Sequence, residues 1–291
     1  LRFRNSLTWD AGGLRQKVAK LEAQVAREDT TVRALALSYE NLSITYTHEQ
    51  DAGVKARRLH EVFGDDQTVV VLIVREQLDL IRSLYKEQLA SGAAVSFSDY
   101  VDFLINTRYR SVLDELRYDL LADTYERLFG SGSVFVWPLE WIDGSSVFLD
   151  TLAEYAGLTP AGLDMPVEHG SLAPEQLYLL LQLNRKASTN FGGDHFHLVH
   201  GWRLNRSAAG LEPGVRADER HFTDEVLRSA LVNAAARRGR HLNKPLALDY
   251  TEQQARFLRE LYAPGNARLA ARLSVAPQAL WAPVAGAERT T

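Results

Sequence analysis

Arg75 directly follows the apolar run Thr68–Val74, and Ser83 lies eight residues further on. A guanidinium is a planar fork of donors that matches phosphate oxygens, and a serine hydroxyl adds a short neutral donor, so this spacing can bring both groups to one anion. The competing reading is structural: Arg75 paired with Glu76 or Asp79, and Ser83 simply tolerated on a helix. Two further positions follow apolar runs, Ser38 with Glu40 after 32–38 and Glu140 after 134–138. A carboxylate at such a place can accept a proton from a reacting hydroxyl or can anchor a loop. In an open parallel sheet ligands bind outside the carboxyl ends of the strands, which is why these three places come first.

The elements that must position them are legible as patterns. Leu14, Val18, Leu21 and Val25 predict an amphipathic helix over 13–28, and 32–38 reads as a short buried strand. A helix over 51–63 ends at Gly64-Asp65-Asp66, and Thr68–Val74 reads as a continuous strand of the parallel type covered on both faces. Helices are expected over 77–90, from Ser96 to Asn106, and from Ser111 to Gly130. A strand follows over 133–137, then a helix over 147–157 closed by Gly157. The β-α-β-α-β-α order predicts a doubly wound α/β core with a parallel sheet flanked by helices. After about 165 the pattern turns helical, over 173–186, 221–238 and 251–274, so the chain is expected to be one domain with a core over 1–164 and a helical part over 165–291.

The string Val69–Tyr85, with Arg75 ending the strand and Ser83 at the eighth position after it, resembles the signature of the PAPS-dependent sulfotransferases, PAPS being 3'-phosphoadenosine 5'-phosphosulfate. The resemblance is closest to the bacterial carbohydrate and small-molecule branch. Leu35–Leu42 looks like that branch's strand ending in Ser-x-Glu, and Ser96–Val101, the strand Val134–Pro138 with Glu140, and Glu260-Leu261-Tyr262 with Asn266–Ala270 also look similar. It covers about 32–158 and the C-terminal helix. It implies a P-loop-kinase-like fold, PAPS as co-substrate, and a hydroxyl of a carbohydrate or other small molecule as acceptor, with no metal required. It also implies that Arg75 and Ser83 hold the donor's 3'-phosphate. Family members use His or Glu as the base; Glu40 is the choice here, with His48 in reserve, and Glu140 matches a position that anchors a loop.

One family feature is missing. The first strand of these enzymes runs into a loop of Lys, Gly and Thr that grips the 5'-phosphosulfate. Gly12-Gly13-Leu14-Arg15-Gln16-Lys17 is the Gly–Lys candidate, and no apolar strand precedes it. The sequence starts at Leu1 without an initiator Met, so that loop is expected upstream. Its absence keeps two alternatives open: a catalytically silent nucleotide-binding or interaction domain, and a P-loop kinase-like phosphotransferase.

Composition narrows the classes. With 46% hydrophobic residues over 291 positions a full core is available, and a net charge of −4 leaves no overall positive field for nucleic acid or an anionic membrane. The absence of Cys removes disulfides, thiolate metal sites and thiol nucleophiles. The longest apolar runs, Val69–Val74 and Leu177–Leu181, fall far short of the roughly 20 residues of a membrane span, so a soluble, cytoplasmic protein is expected. Asp194, His195, His197 and His200 have metal-ligand residue types but sit in a Gly-containing stretch without a His-Glu-x-x-His helix, which favours a solvated or acceptor-facing loop. Arg237-Arg238-Gly239-Arg240-His241 is similar to the basic Arg-x-Gly loop of cytosolic sulfotransferases, yet cations at a helix C-terminus are favoured by about 0.3–1 kcal/mol in any protein.

Overall fold

The computed structural model describes residues 9–29, 32, 34, 36–38, 50–64, 68–108, 112–142, 146–155, 157–159, 172–190 and 229–282. In chain order the elements are α1 (Ala11–Glu28), α2 (Ala52–Phe63), β1 (Val70–Val74), α3 (Gln77–Ala90), α4 (Phe97–Asn106), α5 (Tyr118–Phe129), β2 (Val134–Pro138), α6 (Val147–Tyr155), α7 (Pro174–Asn190), α8 (229–238) and α9 (Glu252–Arg272). The chain divides into two compact units. The first holds Leu1–Glu76, Asp114–Val167 and Tyr262–Thr291, and the second Gln77–Leu113 and Glu168–Leu261.

In the first unit β1 and β2 pair in parallel, with Val70 opposite Val134 and Val74 opposite Pro138. Leu72, Val74, Val134 and Val136 are buried, and each contributes about 1.5–3 kcal/mol through the apolar area it removes from water. Helix α5 feeds β2 through Gly130 and Gly132, whose φ values of 100° and 82° suit residues without a Cβ, and it packs on both strands. Because α5 leads directly into β2 and folds back along it, its first turn stands at the carboxyl edge of the sheet. The other face of β2 carries Phe135 and Trp137, which stack on Tyr155 (4.9 Å) and Phe148 (5.5 Å) of α6.

Three expectations change here. The segment 32–38 is not a strand at any described position, and Leu37 is 61% exposed: with Ala at 34 and 36 the run brings too little side-chain area to hold it against a neighbour. Strand β1 is not covered on both faces among the described residues, since Ile73 is 51% exposed beside buried Leu72 and Val74. The helix expected over 111–130 is broken: Val112–Asp114 form one 3-10 turn and α5 starts after Arg117, whose φ of −82° and ψ of 77° are not helical. Buried Leu113 and Leu116 flank that break, so packing overrides periodicity.

Helix α1 forms as expected but has no buried residue; it is tied to α2 at its start, where Trp9 donates to the Glu61 carboxylate, the Arg58 guanidinium lies 4.9 Å from the Trp9 ring, and Arg15 donates to the Glu61 carbonyl at 2.5 Å. Helix α9 continues through Pro264 and docks on α5 by charge. Arg268 donates two hydrogen bonds to Asp119 Oδ2, one at 2.9 Å from Nε, and Arg272 pairs with Asp123 at 3.6 Å and with Glu126. Gly265 is required at this crossing, because a Cβ there would lie 2.5 Å from Asp119 Oδ1.

The second unit is helical. Helix α3 ends in a Schellman motif, with Gly92 at φ 99° and the Ala93 N–H donating to the Gln88 carbonyl at 2.8 Å. Buried Asn184 of α7 donates from Nδ2 to the carbonyls of Leu89 and Ala93, both at 2.8 Å, which satisfies acceptors the helix end leaves open. Tyr85 donates to the Val95 carbonyl at 2.8 Å under an aromatic cluster with Phe97 and Tyr100. Thr251 and Gln254 form a capping box at the start of α9, and Gln254 Nε2 also donates to Asp102 at 2.7 Å. The expected helices over 173–186 and 251–274 correspond to α7 and α9; of the helix expected over 221–238, residues 229–238 form α8 and 221–228 lie outside the described residues.

Asp119 is buried while Arg268 is half exposed, so truncating the arginine leaves a carboxylate without its strongest donor. Arg268→Ala is expected to lower the unfolding free energy by about 1.5–3 kcal/mol. Arg256→Ala, which removes only an exposed i,i+4 pair with Glu252, should cost no more than about 0.5 kcal/mol. Urea titration of the two variants checks the difference, and equal losses would contradict it.

Candidate functional site

The carboxyl edge of the parallel pair gathers polar groups from three elements of the first unit. Arg75 and Glu76 leave β1, Glu140 lies in the 3-10 turn Leu139–Trp141 that follows β2, and Tyr118 opens α5. Pro138 ends β2 with its own φ near −64°, and the chain turns at once into the segment that carries Glu140. The Glu76 backbone N–H donates to Glu140 Oε1 at 3.0 Å, which closes the turn leaving β1 against the turn leaving β2.

Arg75 is half-buried, and its guanidinium forms no ion pair with a carboxylate among the described residues. Asp79, one partner expected under the structural reading, pairs with Arg82 at 2.5 Å within the second unit. Tyr118 is 6% exposed, and neither its hydroxyl nor Glu140 Oε2 meets a hydrogen-bond partner among the described residues. Burial pushes the Tyr118 phenol well above its ordinary value; the Arg75 backbone N–H and guanidinium oppose that shift, while Glu140 and Glu76 add to it. The phenol is therefore a neutral hydroxyl at physiological pH. A guanidinium without a carboxylate partner among the described residues, at the edge where the helix dipole of α5 also presents its positive end, can hold an oxyanion.

Ser83 lies on α3 in the second unit, half-buried, with no hydrogen bond from its hydroxyl to a described residue. Glu40 and His48 lie outside the described residues, as do Asp194, His195, His197 and His200; Ser38 is exposed. Among the described residues no group of three or more His, Asp or Glu side chains is gathered as metal ligands, and no helix is long and apolar enough to cross a membrane.

Two of the other sequence candidates have structural duties. Gly12 and Gly13 are the first turn of α1, where the Gly13 N–H donates to Asp10 Oδ1 at 2.9 Å, so a carboxylate already occupies that helix start. At the basic segment Arg237 donates to the Asn233 carbonyl at 3.2 Å, closing the end of its own helix, and Gly239 packs so tightly on Gln176 that a Cβ would lie 2.5 Å from its Cα. Tyr118 escaped sequence reasoning because a tyrosine on an amphipathic helix reads as core; only the α5-to-β2 geometry gives it a place at the edge.

The buried phenols set an alkaline limit. Tyr125 of α5 is pushed from 10.0 up to about 12 by burial, and Tyr118 is shifted in the same direction. Below pH 10 these phenols are protonated in the folded and unfolded chain alike, and their contribution is complete. Above it the unfolded chain sheds protons that the folded chain keeps, so stability falls as pH rises toward 12, by roughly 1.4 kcal/mol per pH unit for each such tyrosine. Urea unfolding between pH 8 and 11 measures this, with Tyr118→Phe expected to flatten the decline; a pH-independent midpoint would contradict it. No family model, curated protein or solved structure matches the chain.

Proposed function

We propose that the chain is a PAPS-dependent sulfotransferase of P-loop-kinase-like fold, with Arg75 and Ser83 as ligands of the donor's 3'-phosphate. The observation that carries this reading is Arg75 itself, an arginine at the carboxyl end of a parallel strand with no carboxylate partner among the described residues, inside the Arg-x7-Ser string that resembles the family. A structural arginine would be expected to spend its charge on a neighbour.

Sulfuryl transfer is an in-line displacement. The acceptor oxygen forms a bond to sulfur as the bond from sulfur to the bridging phosphate oxygen breaks, and that oxygen departs with the electron pair on 3',5'-ADP. The acceptor hydroxyl proton passes to a base, for which Glu40 is the proposed residue. Positioning and charge stabilisation carry most of the rate in such displacements. The acceptor is proposed to be a hydroxyl of a carbohydrate or other small molecule.

A second reading, nucleotide binding without transfer, is favoured by one observation: the Gly12-Gly13 segment opens a helix capped by Asp10 and offers no anion loop for the phosphosulfate. The two readings part on turnover and agree on binding.

Arg75→Ala is expected to weaken 3',5'-ADP binding by about 1.5–3 kcal/mol, the range for a hydrogen bond to a charged group, with unfolding unchanged. Isothermal titration of both proteins decides it, and equal affinities would remove Arg75 from the site. If Glu40 takes the proton, Glu40→Gln should keep nucleotide affinity while transfer of radiolabelled sulfate falls about 100-fold or more. Near-normal turnover would assign the proton to another residue.

A further inference from the structure

We infer that Glu140 is the positioning residue of the Arg75 site: it fixes the turn by which the chain leaves β1 and thereby the direction in which the guanidinium leaves the sheet. The inference rests on the donor reading above. The β1–β2 ladder stops at Val74 and Pro138, so the backbone N–H groups of residues 75 and 76 lie beyond it. The Glu76 N–H donates to Glu140 Oε1 at 3.0 Å, so the peptide unit that follows Arg75 is held by a side chain from the turn after β2.

The energetics of Glu140 also point away from a purely stabilising role. Its Oε2 is buried and has no hydrogen-bond partner among the described residues, close to a phenol hydroxyl in the same condition. Half-satisfied buried polar groups are expensive, and a core selected for stability alone would not retain them. They are retained where the geometry they impose is needed, because displacing a binding group by about 1 Å can cost up to about 100-fold. Glu140 does not touch the anion in this account; it acts through the Arg75 backbone.

The test is a double-mutant cycle on 3',5'-ADP affinity in the full chain, measured by isothermal titration with wild type, Arg75→Ala, Glu140→Ala and the pair. Glu140→Ala is expected to weaken binding about tenfold or more in the wild-type background and to have no further effect once Arg75 is gone. Glu140→Gln, whose amide oxygen still accepts the Glu76 N–H, should restore affinity to within about threefold of wild type. If Glu140→Ala does not fold, Glu140→Asp takes its place, since the shorter side chain keeps the charge and withdraws the acceptor. Wild-type affinity in the alanine or aspartate variant, or an additive loss in the double mutant, overturns the inference and leaves the donor reading standing. No binding by wild type overturns the donor reading, and the inference with it.

Discussion

The parallel pairing of β1 with β2 is the constraint on which the first unit depends. A parallel ladder puts both strand ends on one edge, and the helix that leads into β2 must run back along the sheet, so its amino end arrives there too. Arg75, Glu140 and Tyr118 come from three places in the chain and meet because of that topology. Pairing in the opposite sense would send Glu140 to the far edge from Arg75. The hydrogen bond from the Glu76 N–H to Glu140 closes the edge, and apolar burial of Leu72, Val74, Val134 and Val136 holds the register that makes the bond possible.

A second set of constraints is electrostatic. Helix α9 is held to α5 through Arg268 and Arg272 on Asp119, Asp123 and Glu126, and Gly265, without a Cβ, leaves room for the Asp119 carboxylate. Asp119 follows Tyr118 in the first turn of α5, so the same contact that docks α9 also steadies the helix start at the sheet edge. A carboxylate in that turn is favoured by the helix dipole, while Arg268 supplies the charge it needs to stay buried.

Much of the local structure was legible in the sequence and most of the tertiary chemistry was not. The runs Val69–Val74 and Val134–Pro138 announce their strands because they join β-branched and aromatic residues in short apolar stretches that suit a pleated surface. The helices expected over 51–63 and from Ser96 to Asn106 form, and the structure shows Asp51 and Ser96 capping them by accepting the Val54 and Asp99 backbone N–H groups. The 32–38 run misled because two alanines, two leucines and a single β-branched residue, Val32, do not specify a strand, and the break before Tyr118 was hidden because Leu113 and Leu116 keep the helical spacing through it. The Glu76–Glu140 and Asp119–Arg268 contacts join residues 64 and 149 positions apart, a separation at which one sequence carries no pairing signal. Arg75 stood out by its place after a strand; Tyr118 and the anchoring bond of Glu140 emerged only from the folded geometry.

The central claim is that the carboxyl edge of β1 holds the 3'-phosphate of a sulfuryl donor. A crystal structure of the chain with 3',5'-ADP tests it most directly. The account predicts the 3'-phosphate within hydrogen-bond distance of the Arg75 guanidinium and the Ser83 hydroxyl, with the Glu76–Glu140 bond intact. Nucleotide bound elsewhere on the chain, or a phosphate whose donors include neither Arg75 nor Ser83, would contradict it.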